Sequence, residues 1–178
     1  MTESREMPGR VRPMTRADVR AVSMIRVAGW QSAYAGIIPK SYLDGMSVDE
    51  DARNRMAVFR SPQKRAVDLV AVDESDTPVG WGCYGPYRGD VDLSAAAELY
   101  ALYVRPDLIG TGLGRRLLDE VHGRATAQDY RSILLWVLRG NERARRFYST
   151  ASYDEDGAVS SDHYADRVVT EVRYRRRL

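Results

Sequence analysis

The stretch Leu102-Tyr-Val-Arg-Pro-Asp-Leu-Ile-Gly-Thr-Gly-Leu-Gly-Arg-Arg-Leu-Leu118 constrains this 178-residue chain more than any other. An apolar segment stops at Pro106. Glycines stand at 110, 112 and 114, and a helical pattern follows, with Leu113, Leu117, Leu118, Val121 and Ala125 on one face. A strand that passes through a tight glycine turn into a helix offers unpaired N–H groups and the positive end of the helix dipole. Glycine permits close backbone approach and unusual dihedrals, and successive N–H groups converge into an anion nest. Arg115 and Arg116 add cationic side chains. Together these features read as a pyrophosphate site. A Rossmann dinucleotide turn needs G-x-G-x-x-G and an acid about 20 residues on. Here the third glycine comes one residue too early, and the next strand, Ile133–Leu138, ends in Arg139. A Walker loop is excluded because no Gly-Lys-Ser/Thr follows.

The rest of the chain frames that turn. Val11–Pro13 reads as a short edge strand. Thr15 is an N-cap with Asp18 three residues later. Val19, Val22, Met24, Ile25 and Ala28 give the following helix an apolar side, and the pattern runs to about Gly29. Gly29–Pro39 holds aromatics between glycines and a proline, which argues for a loop or broken helix. A helical turn at Ser41–Leu43 and a helix over Asp49–Phe59 come next. Val67–Val72 and Val79–Tyr84 read as a hairpin, and Glu98–Val104 as a third strand. Gly112–Ala127 is the best helix, Ser132–Leu138 a strand buried on both faces, and Asn141–Thr150 a short helix capped by Asn141. A strand starts near Ser152–Asp154, and Val168–Tyr174 is the last. The expected fold is α/β (α+β), with a mixed, mostly antiparallel central sheet flanked by helices, in one domain over 1–178 with a loose start at 1–10.

Composition narrows the function classes. The charged residues are 27 basic and 25 acidic, a net charge of +2, without the excess or basic stripe of a nucleic-acid binder. Lys40 and Lys64 are the only lysines, so the basic charge is almost all arginine. Five arginines crowd the end (Arg167, Arg173, Arg175, Arg176, Arg177), and a solvated terminal strand accounts for them. Cys83 is the single cysteine, so no internal disulfide forms, and one cysteine with His122 and His163 is a poor metal set. The first thirty residues carry no apolar signal segment, and no run nears the roughly 18 apolar residues a membrane helix needs. These readings predict a cytoplasmic, metal-free protein with no membrane and no nucleic-acid partner.

Two motifs together resemble the GNAT superfamily of N-acetyltransferases. The first is Val104-Arg-Pro106-Asp-Leu-Ile109-Gly110-Thr-Gly112-Leu-Gly114, similar to the family's V-x-P-x-x-(Q/R)-G-x-G-(I/L)-G. The second is the strand and helix ending Asn141-Glu-Arg-Ala144-Arg-Arg-Phe147-Tyr148, similar to N-x-x-A-x-x-F-Y. The resemblance covers about residues 11–175. Ile109 stands where Gln or Arg is usual, which leaves the backbone nest but removes one side-chain contact.

The resemblance implies acetyl transfer from acetyl-CoA, as cosubstrate, to an amine by direct attack. It implies cofactor contacts at Leu102, Tyr103, Val104, Ile109, Gly110, Thr111, Gly112, Leu113, Gly114, Arg115, Asn141 and Ala144. Glu98, at the start of the strand leading to the loop, is the expected base. Tyr148 is the expected acid, because a phenol can donate to a departing thiolate. Trp30 and Tyr34 lie in the segment that commonly walls the acceptor site. His122 is expected to be structural or exposed, His163 to sit in an exposed loop, and Cys83 to be a small core residue. Family members are often homodimers. Two alternatives stand beside this reading: a non-catalytic acyl-CoA-binding module or sensor on the same fold, and an arginine-tailed nucleic-acid binder.

Overall fold

In the computed structural model, which describes residues 9–89, 93 and 95–178, seven strands form one sheet. They are β1 (Arg10–Pro13), β2 (Val67–Val72), β3 (Pro78–Pro86), β4 (Ala96–Val104), β5 (Ser132–Leu138), β6 (Asp154–Tyr164) and β7 (Arg167–Arg177). Their order is β1-β2-β3-β4-β5-β7-β6. Every neighbouring pair is antiparallel except β4 and β5. The expected loose start falls mostly on residues 1–8, outside the described residues, and Arg10 already belongs to β1.

Helices cover both faces. α4 (Leu113–Ala127) and α5 (Glu142–Thr150) cover one. The face of α4 legible in the sequence is the buried one: Leu117, Leu118, Val121 and Ala125 are fully buried against Leu69, Ala71, Ile133 and Leu135. Full burial of one such leucine side chain contributes roughly 2 kcal/mol. The other face carries α1 (Val19–Ala33), α2 (Lys40–Asp44) and α3 (Val48–Arg60), over Val70, Val72, Trp81 and Cys83. Among the described residues no helix is long and apolar enough to cross a membrane.

Local signals held where they were chemical. The Thr15 N–H and Oγ1 both donate to Asp18 Oδ2, at 2.7 and 2.8 Å, and Arg12 pairs with the same carboxylate at 2.7 Å. Asn141 Oδ1 accepts from the Ala144 N–H at 3.1 Å and caps α5. Cys83 is buried in mid-β3.

Three expectations change. α1 does not stop at Gly29 but runs to Ala33. At Gly29 the helix crosses Tyr103 so closely that a Cβ would lie 2.8 Å from the ring, so the glycine serves close approach and does not break the helix. Met24 is 55% exposed, because it lies about 200° around the helix from Val22. His163 is not in a loop: β6 continues through it and pairs it with Val168, with its side chain exposed.

Candidate active site

Two irregularities in the sheet open the site. β4 carries one extra residue: Leu99 faces Tyr84 and Ala101 faces Cys83, with Tyr100 between them. Such a bulge bends its strand. The Tyr100 hydroxyl donates to the Pro86 carbonyl, which holds the bend. β4 and β5 then pair only over Ala96–Leu99 and Ser132–Leu135. Beyond Leu99 the strands part, and the facing backbone edges of Tyr100–Val104 and Trp136–Val137 border a cleft of about 560 Å³. An unpaired strand edge is a row of donors and acceptors ready for an extended ligand.

The glycine turn closes one end of the cleft. Gly110 and Gly112 have φ of +90° and +89°. A Cβ at either would meet nothing within 4 Å, so the dihedral, not space, calls for glycine. The Arg116 N–H bonds the Gly112 carbonyl at 3.1 Å, so the amides of Leu113, Gly114 and Arg115 point out of the helix end without intrahelical acceptors.

Most of the residues expected to bind the cofactor meet here. Leu102, Tyr103, Val104, Ile109, Gly110, Gly112, Gly114, Arg115, Asn141 and Ala144 line the cleft, as do Tyr34 and Tyr148. Arg115 is tethered to Asp119 at 2.9 Å and stands at the rim. Two expected contacts are of another kind. The Leu113 side chain is buried in the core, so only its amide faces the turn. The Thr111 hydroxyl turns back to the Leu108 carbonyl at 2.7 Å.

Tyr148 is buried, with its ring edge-on to Phe147 and Tyr153. Burial, and then the nearby Tyr103, push its phenol above the ordinary range. Its O–H therefore stays protonated at any working pH and can donate into the cleft. Tyr34 and Tyr103 share a hydrogen bond of 3.0 Å. Trp30 does not line the cleft. It packs edge-on against Tyr34 at 5.0 Å and Tyr164 at 5.9 Å.

Glu98 lies on the α1–α3 face of β4, since Ala97 and Leu99 on either side enter the α4-side core. It is buried and does not line the cleft. Both of its oxygens are held: Oε1 by the Arg88 guanidinium at 2.8 Å and Oε2 by the Arg88 N–H at 3.0 Å. The guanidinium also stacks over Tyr100, 3.8 Å from the ring centroid. Composition and spacing did not single out Arg88, Tyr100 or Trp136. A bulge and an ion pair between a strand and the connection before it leave no local sequence signal. His122, buried on α4, meets the Tyr153 hydroxyl at 2.8 Å, and burial lowers its pKa to about 4. Three of the terminal arginines bind within the fold: Arg173 to Asp156, Arg176 to the Ala151 carbonyl, Arg167 to the Ile37 carbonyl. Among the described residues no three His, Cys, Asp or Glu side chains gather as a metal site.

The acetyltransferase (GNAT) family matches residues 45–153. The chain is 28% identical over 131 residues to an uncharacterized N-acetyltransferase, YuaI, of Bacillus subtilis, covering 74% of this chain and 72% of that one. It is 39% identical over 121 residues to a mycothiol acetyltransferase of Propionibacterium freudenreichii, covering 66% of this chain but 36% of that longer protein. The fold matches the PaiA N-acetyltransferase of Thermoplasma acidophilum in complex with coenzyme A, with a TM-score of 0.78 and 18% identity over 97% of this chain and 100% of that one. The chain therefore belongs to the acetyltransferase (GNAT) family and is an acetyl-CoA-dependent acetyltransferase.

Proposed function

We infer that this protein transfers the acetyl group of acetyl-CoA directly to a primary amine of a small molecule or peptide. The observation that carries the reading is the parting of β4 from β5 beside the glycine turn. An extended pantetheine arm fits between two unpaired strand edges, with its pyrophosphate on the amides of Gly112–Arg115. Leu102, Tyr103 and Val104 act through their backbone. Amides on the cleft side of β4 meet the carbonyl oxygen of the thioester and stabilise the oxyanion formed when the amine attacks. Asn141 serves both as helix cap and, through its amide nitrogen, as a donor to the arm.

Tyr148 is the acid of this reading. Its O–H donates to the departing sulfur, which a thiolate needs. Glu98, with both oxygens held by Arg88, works at one remove: it and Arg88 fix the bulge end of the chamber in which the amine arrives. The Tyr34–Tyr103 pair forms the wall beside it.

The test is thiol release from acetyl-CoA over a panel of amine classes, alongside calorimetric CoA binding. Turnover on at least one class is expected. Tight CoA binding with no turnover on any amine would favour a non-catalytic acyl-CoA-binding module instead.

A further inference from the structure

A second cavity, of about 590 Å³, lies between α3 and the sheet, within the size range of small-molecule sites. None of the residues assigned to acetyl-CoA lines it. It adjoins the cleft at the β4 bulge, where Tyr100 is a wall of both cavities.

Four aromatic rings line it: Phe59, Trp81, Tyr87 and Tyr100. Each already carries a cation. The Arg55 guanidinium lies 4.1 Å from the Trp81 ring centroid and that of Arg88 3.8 Å from Tyr100. Lys64 Nζ lies 4.6 Å from Phe59, and the Arg173 guanidinium 5.6 Å from Tyr87. A further cation brought to these rings would meet a like charge. The two carboxylates of the lining are taken as well. Asp68 accepts from Lys64 and from the Trp81 indole, both at 2.8 Å. Asp51 accepts from Arg26 at 2.7 Å and from Arg55 at 3.1 Å.

The cations are not used up. Arg65 lines the cavity, is exposed, and makes no hydrogen bond or ion pair with any described residue. Arg26 and Arg55 share one carboxylate, so the cavity keeps an excess of positive charge. Arg55 gives Nη2 to Asp51, while its Nε is buried with no acceptor among the described residues. A buried N–H without an acceptor is uncommon and calls for a missing partner. A guanidinium laid flat on a ring keeps its N–H groups in its own plane, where a carboxylate can take two of them.

We propose that this cavity holds a carboxylate of the acceptor, so that the acceptor is an amine that also bears a carboxylate. This rests on the amine transfer inferred above and names the class of amine. Arg55, fixed on Trp81, receives the carboxylate, and Arg65 adds an uncommitted positive charge to the same cavity. The body of the acceptor passes Tyr100, and its amine stands in the cleft.

The experiment follows thiol release from acetyl-CoA with matched acceptors: L-amino acids against their carboxamides, and ω-amino acids of increasing length against the corresponding alkylamines. Wild type is expected to favour the carboxylate member of at least one pair by on the order of 10-fold in kcat/KM, through KM. Arg55→Gln and Arg65→Gln are expected to bring that ratio toward one with CoA affinity unchanged. Arg55→Lys is expected to recover little of it, because a point charge does not replace the planar fork. Arg60→Gln, on α3 but not in the lining, is expected to keep the ratio. The carboxylic acid that lacks the amine is expected to inhibit wild type in competition with the acceptor. A ratio of one or less for every pair overturns the proposal, and so does a ratio kept in both Arg55→Gln and Arg65→Gln. Inhibition that does not compete with the acceptor, or a preference for phosphoethanolamine over every carboxylate, overturns it too. Should Arg55→Gln fail to fold, Arg65→Gln decides, because Arg65 has no hydrogen bond or ion pair to lose among the described residues. No turnover on any amine overturns the parent reading, and this one with it; turnover that favours no carboxylate overturns this one alone.

Discussion

At the end of α4, stability and CoA affinity are separable through one residue. Gly112 has φ +89° and ψ −8° and open space where a Cβ would go. Asn and Asp are nearly the same shape, and both tolerate positive φ better than other side chains. Either substitution costs about 1 kcal/mol of backbone strain, which in a chain of this size lowers Tm by roughly 2–4 °C. The two differ in charge. A carboxylate at a helix N-terminus stabilises the helix by ~0.3–1 kcal/mol, so Gly112→Asp melts no lower than Gly112→Asn. Toward the ligand the sign reverses. With a phosphate charge about 5 Å away and an effective dielectric of about 20, repulsion amounts to roughly 3 kcal/mol, on the order of 100-fold in Kd. Calorimetry with CoA and thermal melts of both variants read the two quantities. The affinity gap narrows with added salt, because the turn is exposed. Equal CoA affinities for Gly112→Asp and Gly112→Asn would refute the placement of the pyrophosphate on this turn.

Three further outcomes follow from other contacts. Tyr148→Phe is expected to lower kcat on the order of 10²-fold with CoA affinity unchanged; an unchanged kcat removes the phenol from the chemistry. His122, held neutral by burial to about pH 4, makes stability depend on acidity: between pH 6.5 and 4 the unfolded chain binds a proton that the folded chain refuses. Stability therefore rises with pH across that window, by up to about 3 kcal/mol. His122→Gln is expected to flatten that part of the Tm–pH curve, and an unaltered curve refutes the assignment. Gly29→Ala puts a Cβ 2.8 Å from the Tyr103 ring. It should cost about 1–3 kcal/mol by overpacking and disturb the Tyr34–Tyr103 bond; an unchanged Tm would show that α1 can yield there.

What the chain announces locally, it also builds. The glycine turn, the apolar face of α4 and the caps at Thr15 and Asn141 depend on residues within four positions of one another, so their physics is visible along the sequence. Gly29 shows where that visibility ends. As a letter it reads as a break between helix and loop. Its actual reason lies 74 positions away, in the Tyr103 ring that α1 must approach. The cofactor contacts were legible for the same reason as the turn, since they are mostly backbone groups whose supply needs only a strand end and a helix start.

The acceptor side was less legible because its residues meet only through strand register. Glu98 stands out in sequence as a carboxylate at a strand start, but its Arg88 partner comes from the β3–β4 connection. The bulge at Tyr100 appears only when β3 and β4 are paired. Glu171 sits in the run Val169-Thr-Glu-Val-Arg173, and nothing local separates it from a solvated surface carboxylate. Its neighbours come from other strands. Leu138 of β5 and Ser160 of β6 stand opposite it across β7, and Glu98 of β4 is held by Arg88. Each of those pairings is fixed by core residues on the opposite face, Ile133, Leu135, Val172 and Tyr174. A one-residue slip would turn Glu171 into the core and Val172 out of it. The buried face thus sets which side chains the opposite one presents, because the core holds the strands in that register.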